Sequence, residues 1–101
     1  MGEVRALKLR YTRRAITDLA RILAYIHERS PQGARKVQAR IHELITLTLE
    51  HPHAGARTRN KRARRLVAYP YPYLIFYEVR DDEIVILGVR HTARKPSPLS
   101  G

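Results

Sequence analysis

The sequence predicts an α+β domain in the order β-α-α-β-β-β: a helical hairpin packed on one face of a mostly antiparallel sheet of about four strands. Three observations carry this. Two consecutive stretches in the first half place apolar residues at helical spacing, and a serine–proline pair separates them. The second half holds aromatic and β-branched runs broken by proline and aspartate turns. A short alternating segment precedes the helices. At 101 residues, 44% of them hydrophobic, the chain fits one domain with its own core.

Residues 4–11 read as the first strand, since Leu7, Leu9 and Tyr11 alternate with Lys8 and Arg10. Thr12 suits an N-cap, because its hydroxyl can accept an orphan amide of the first turn. Ile16, Leu19, Ala20, Leu23 and Ile26 or His27 then recur at i, i+3, i+4, i+7, the apolar face of a helix of about four turns. Ser30 fits the next N-cap, and Pro31 the first helical position, where a missing N–H costs nothing. Ala34, Val37, Ile41, Leu44, Ile45 and Thr48 form the second amphipathic face, which should stop by His51 because Pro52 disfavours helical geometry before it. Two helices this close in sequence should fold back antiparallel.

His53 to Lys61 reads as a polar loop, and residues 64–69 as a strand. Pro70 and Pro72 flank Tyr71 in a turn, since proline donates no ladder hydrogen bond. Residues 73–79 and Glu83 to Arg90 read as a β-hairpin closed at Arg80-Asp81-Asp82. A single domain over residues 1–95 and a flexible tail over 96–101 complete the plan.

The composition excludes several classes. Without cysteine there are no disulfides, thiolate nucleophiles or cysteine zinc sites. The longest apolar run, Ile84 to Val89, is far short of the roughly 20 residues of a membrane span, and no apolar segment follows Met1 as a signal peptide would require. A soluble, cytoplasmic protein without membrane association is expected. The net charge is +11 and the isoelectric point about 10.9, which calls for an anionic partner. The charge is concentrated: no acid lies between Glu50 and Glu78, and that gap holds Arg57, Arg59, Lys61, Arg62, Arg64 and Arg65. Arg90, Arg94 and Lys95 form a second basic group. Such a run can be a solvated face, but like charges this close repel one another when no partner is present, which favours a binding surface.

Familiar catalytic signatures are missing: there is no Gly-rich phosphate loop and no helical His-Glu-x-x-His. Asp81, Asp82 and Glu83 are ordinary turn acids. His51 and His53 flank Pro52 in a polar loop, the reading preferred over a metal pair, so no metal or cofactor is expected. His27 and His42 read as helix-surface residues. Tyr73 and Tyr77 share a strand face with Ile75 and read as core; Tyr69 and Tyr71 are the better candidates for exposed contacts. Arg90 to Lys95 is the most reactive constellation, because His91 can shuttle a proton and Arg94 can stabilise phosphoryl charge. Joined to an arginine of the 59–65 cluster these would make a ribonuclease; the alternative is a basic strand end that binds an acidic peptide or a nucleic-acid backbone.

Five features in sequence, over roughly residues 5 to 95, resemble the RelE/ParE superfamily of toxins from bacterial type II toxin–antitoxin modules. They are the β-α-α-β-β-β order, the helix start Tyr11-Thr-x-x-Ala15-x-x-Asp18-Leu19, the His51-Pro52 helix end, the strand Tyr73-Leu-Ile-Phe-Tyr77, and the finish Asp82-Glu-Ile-x-Ile-Leu87-x-x-x-His91-x-x-Arg94. The resemblance implies one of two functions. RelE-like members cut mRNA in the ribosomal A site; ParE-like, plasmid-stabilisation-type members inhibit DNA gyrase by binding it. The ribonuclease branch calls for an arginine ending the strand before the tyrosine-rich one, where this chain has Tyr69. It also calls for an arginine past the last strand, matched by Arg94, and for a tail tyrosine or histidine, which Pro96 to Gly101 does not supply. The gyrase-binding branch is therefore expected, with no catalytic residue and with Arg57, Arg59, Lys61, Arg62, Arg64, Arg65, Arg90 and Arg94 contacting target or antitoxin. A shifted alignment brings Arg64 or Arg65 to the strand position, so the alternative enzyme would use Arg65, His91 and Arg94. The resemblance also implies an acidic or amphipathic antitoxin segment, with an apolar groove beside the helical hairpin supplying burial.

Overall fold

The structure, a computed structural model, describes residues 7–93. Its elements are β1 (Lys8–Tyr11), α1 (Arg13–Arg29), α2 (Pro31–Glu50), β2 (Ala56–Arg57), β3 (Ala63–Val67), β4 (Tyr73–Arg80) and β5 (Glu83–His91). The sheet order is β1-β5-β4-β3-β2, with β1 parallel to β5 and every other pair antiparallel. The expected order of elements holds, but the sheet has five strands. The additional strand, β2, is two residues inside the segment read as a loop, and it pairs Ala56 with Arg65 and Arg57 with Arg64. A two-residue strand has no periodicity to detect; only the position of β3 creates it. Residues 4–6 of the expected first strand, Arg94, Lys95 and the tail lie outside the described residues.

Both expected N-caps form. The Thr12 hydroxyl accepts from the Ala15 amide at 3.0 Å and donates to the Leu87 carbonyl at 2.9 Å, so one side chain starts α1 and ties it to β5. The Ser30 hydroxyl accepts from the Gly33 amide at 2.9 Å, with Pro31 opening α2. Asp18, one turn into α1, accepts from the Val89 amide at 3.0 Å. That amide lies beyond the end of β1, where β5 has lost its parallel neighbour, and Asp18 supplies the acceptor the ladder lacks. A β-bulge falls in the same region: Phe76 pairs with Gly88 and Tyr77 with Ile86, leaving Leu87 unopposed.

The core lies between helices and sheet. Tyr73, Ile75 and Tyr77 of β4 and Ile84, Ile86 and Val89 of β5 meet Val37, Ile41, Leu44 and Ile45 of α2 and Ala15 of α1. Each large aliphatic side chain buried here stabilises the fold by about 1.5–3 kcal/mol. The reading of α1 needs correction: Ile16 is 59% exposed and Ala20 and His27 are exposed too, while Ala15 takes the buried position. The helix presents a narrower stripe than the spacing implies, with Leu19, Ile22, Leu23 and Ile26 only partly buried against the core. On the other side of the sheet Leu74, Phe76 and Val85 are buried, and Arg65 stands opposite Phe76.

Candidate functional site

Two concavities sit at opposite ends of β4. The first is a basic cleft of about 490 Å³ between the segment after α2 and the β3–β4–β5 turn end, lined by His53, Lys61, Arg62, Arg64, Glu78, Val79, Arg80 and Asp81. Its loop is anchored from below. The Tyr77 hydroxyl donates to the Pro52 carbonyl at 2.8 Å and accepts from the Gly55 amide at 2.8 Å. Burial raises the Tyr77 phenol pKa above its ordinary value, against the smaller lowering effects of the Gly55 amide and the Arg64 charge. Gly55 is required here, since a Cβ would stand 2.7 Å from a Tyr77 ring carbon and 2.9 Å from the Arg65 carbonyl. Arg64 then donates to the Gly55 and His53 carbonyls at 2.8 and 3.3 Å. Asn60 closes the next turn, its side-chain oxygen accepting from the Arg62 amide at 3.0 Å and its carbonyl from the Ala63 amide at 2.9 Å. Lys61 and Arg62 project from that turn into solvent. At the rim, Glu78 is bound to Arg80 at 2.6 Å, a contact that also raises the guanidinium pKa.

The second concavity is a groove of about 520 Å³ between α1 and the end of β5. Ile22, Tyr25, Tyr73, Val89 and His91 give it an apolar and aromatic floor, with Asp18, Arg21 and Arg90 at its margins. Tyr73 and His91 meet edge to face, ring centroids 5.4 Å apart. Burial, then the nearby Tyr25, raises the Tyr73 phenol pKa. Tyr25 is 59% exposed, and the Arg29 guanidinium lies 3.7 Å above its ring centre. The sequence reading missed Tyr25 because it lies off the buried stripe of α1; an aromatic in that position was the available signal.

The expected site residues divide among three places. Lys61, Arg62 and Arg64 reach the cleft, joined by His53 and Arg80, which had been read as loop and turn residues. Arg57 and Arg59 are exposed on the same loop. Arg65 and Arg90 occupy the outer sheet face, opposite Phe76 and Leu74, with the Arg90 guanidinium carbon 5.4 Å from the Phe76 ring centre. His91 pairs with Tyr73 and faces the helices. Tyr73 and Phe76 are an odd number of residues apart on a regular stretch of β4, so Arg65 and His91 project from opposite faces of the sheet. The His91 Nδ1 accepts from the Ala93 amide at 3.0 Å. Of the two candidate contact tyrosines, Tyr69 is 74% exposed and Tyr71 packs partly against the core. Among the described residues, no group of three or more histidines or carboxylates could hold a metal ion, and no helix is long and apolar enough to cross a membrane.

A helical hairpin on a five-stranded sheet, with a basic loop at one end and an aromatic groove at the other, is the architecture that the sequence resemblance implies. Comparison with known proteins narrows this. Residues 9–96 match the model of the ParE toxin of type II toxin–antitoxin systems, parDE, and the chain belongs to that family. It is 38% identical over 84 residues to the Y4kP protein of Sinorhizobium fredii, covering 83% of this chain and 86% of the relative. It is 37% identical over 84 residues to toxin RelE2 of Caulobacter vibrioides, covering 83% and 93%. Among solved structures, the chromosomal ParDE system of P. aeruginosa superposes with a TM-score of 0.73 at 25% identity, over 85% of this chain and 96% of that one. The protein is thus a type II toxin whose partner is a cognate antitoxin.

Proposed function

We propose that this toxin acts by binding and inhibiting DNA gyrase in the cytoplasm, in a plasmid-stabilisation-type module, and that it carries out no covalent chemistry. The observation that carries this reading is the separation of Arg65 from His91. A ribonuclease needs its phosphate-holding and proton-transferring groups on one side of the scissile bond, whereas here the sheet stands between them. The surfaces that remain suit association. The α1–β5 groove has the aromatic anchors and arginine neighbours typical of an interface hot spot, and it is where the antitoxin segment seats its apolar side chains. The basic loop of Arg57, Arg59, Lys61, Arg62 and Arg64 attracts anionic partners at long range and speeds their encounter.

The alternative is a RelE-like ribosome-dependent ribonuclease. It is favoured by the outer sheet face, where Arg65 and Arg90 flank Phe76 in the basic–aromatic pattern that holds RNA. A relative bearing the RelE name points the same way. Two assays on the purified chain separate the readings. Loss of supercoiling of relaxed plasmid, with ribosome-bound mRNA intact, supports the gyrase reading; cleaved mRNA with normal supercoiling overturns it.

A further inference from the structure

Charges in this protein are paired unequally. Lys8, Arg10, Arg14, Arg29, Arg40 and Arg80 each form an ion pair with an acid. Among the described residues, none of Arg57, Arg59, Lys61, Arg62, Arg64 and Arg65 does, although six cations stand within nine residues. Among the described residues that line the cleft they border, Val79 is the lone aliphatic side chain and the His53 imidazole the lone ring. Of the two acids that line it, Glu78 is held by Arg80 and Asp81 lies in the β4–β5 turn.

This chemistry selects against two kinds of partner. A protein segment gains most of its affinity from aromatic or aliphatic anchors in desolvated pockets, and interface centres are poor in lysine. A single-stranded nucleic acid needs aromatic platforms on which its bases stack. The cleft offers no apolar anchor pocket, and a single imidazole in place of a stacking platform. It offers point charges and guanidinium forks along a rigid turn, and these fit a regular array of phosphodiesters. Duplex DNA presents one charge per roughly 1.7 Å of axis and releases counterions when neutralised.

We propose that the basic cleft and its 58–63 turn bind the phosphate backbone of duplex DNA, independently of base sequence. Lys61 and Arg62 make the outer contacts, Arg64 and His53 the inner ones, and Arg57 and Arg59 extend the track. The choice of DNA over RNA rests on the gyrase reading, since that target works on duplex DNA; the cleft chemistry itself does not.

The test is fluorescence anisotropy of a labelled 20-base-pair DNA duplex titrated with the full chain over a salt series. Binding in the range of about 10⁻⁴–10⁻⁶ M is expected. The plot of log affinity against log salt should lose about 1.8 in slope in the K61A/R62A variant, at 0.9 for each phosphate contact removed. A control, R35A/K36A, removes the same charge from the exposed surface near the start of α2 and should keep the full slope. Thermal melts check that both variants are folded. The proposal is overturned if the duplex does not bind at 50 mM salt, or if the control loses as much slope as K61A/R62A. Tighter binding of an RNA duplex of the same sequence, or displacement of the DNA by a charge-matched polyglutamate peptide, would also overturn it. Supercoiling is read separately. A chain that binds DNA but spares gyrase keeps this inference and loses the proposed function; one that inhibits gyrase without binding DNA does the reverse.

Discussion

Tyr73 and Tyr77 stand on the same face of β4, four residues apart, both buried and both with raised phenol pKa values, yet they support opposite ends of the molecule. Tyr77 spends its hydroxyl on the backbone of Pro52 and Gly55, and so fixes the loop that displays the basic cleft. Tyr73 presents its ring to His91 and lines the aromatic groove. The two concavities have nearly equal volumes, about 490 and 520 Å³. One is walled mostly by charged side chains, the other by aromatic rings. The contrast teaches that a strand residue's contribution is set by what the chain brings against it: backbone carbonyls and amides at one end, rings at the other.

The strongest way to break the comparison is Gly55→Ala. The new methyl meets the Tyr77 ring and the Arg65 carbonyl, neither of which can yield cheaply. Overpacking of this kind costs about 1–3 kcal/mol, and the melting temperature should fall by roughly 4–8 °C for each kcal/mol. The basic end should lose its function while antitoxin binding at the groove persists; thermal melts and antitoxin titration read the two effects apart.

At the other end, Tyr25→Ala should leave the fold almost unchanged, because the side chain is exposed, yet weaken antitoxin binding by about 2 kcal/mol, near 30-fold. Isothermal titration measures this directly, and unchanged affinity would move the antitoxin elsewhere. Asp18→Ala should cost about 1–3 kcal/mol by leaving the Val89 amide without its acceptor, and it should loosen the groove before the cleft. Hydrogen exchange at Val89 is the readout.

High pH should act on both ends at once. Burial raises the Tyr73 and Tyr77 pKa values above 10.0 in the folded chain. Below about pH 9 both the native and the unfolded states keep these protons, and stability is unaffected. Above it the unfolded chain ionises first, so stability declines until the raised native values are passed. Denaturant midpoints between pH 8 and 11 test this, and Tyr77→Phe should flatten part of the decline. The smallest effect belongs to Lys36→Ala on the exposed face of α2, which should change stability by less than about 0.5 kcal/mol and leave both sites intact.

Much of this architecture was legible along the chain because its signals are local. Thr12 and Ser30 cap the helices they precede, and Asp81, at φ 29°, takes the left-handed turn position that aspartate tolerates. Ile16 misled because helical spacing defines a stripe but not its width. The unpaired charge of residues 57–65 was visible as composition, but not its geometry, which depends on Tyr77 reaching back to Pro52 and Gly55 across 25 and 22 residues.

The sequence by itself determined the element order, the helix boundaries, the hairpin and the family resemblance, since each rests on spacing within a few residues. Only the tertiary structure decided that β1 runs parallel to β5, that Ala56 and Arg57 form a fifth strand, and that His53 and Arg80 join the basic cleft. It alone set Arg65 and His91 on opposite faces of the sheet. These outcomes depend on pairing register, and register is fixed by which side chains the core buries together, a property of contacts distant in sequence.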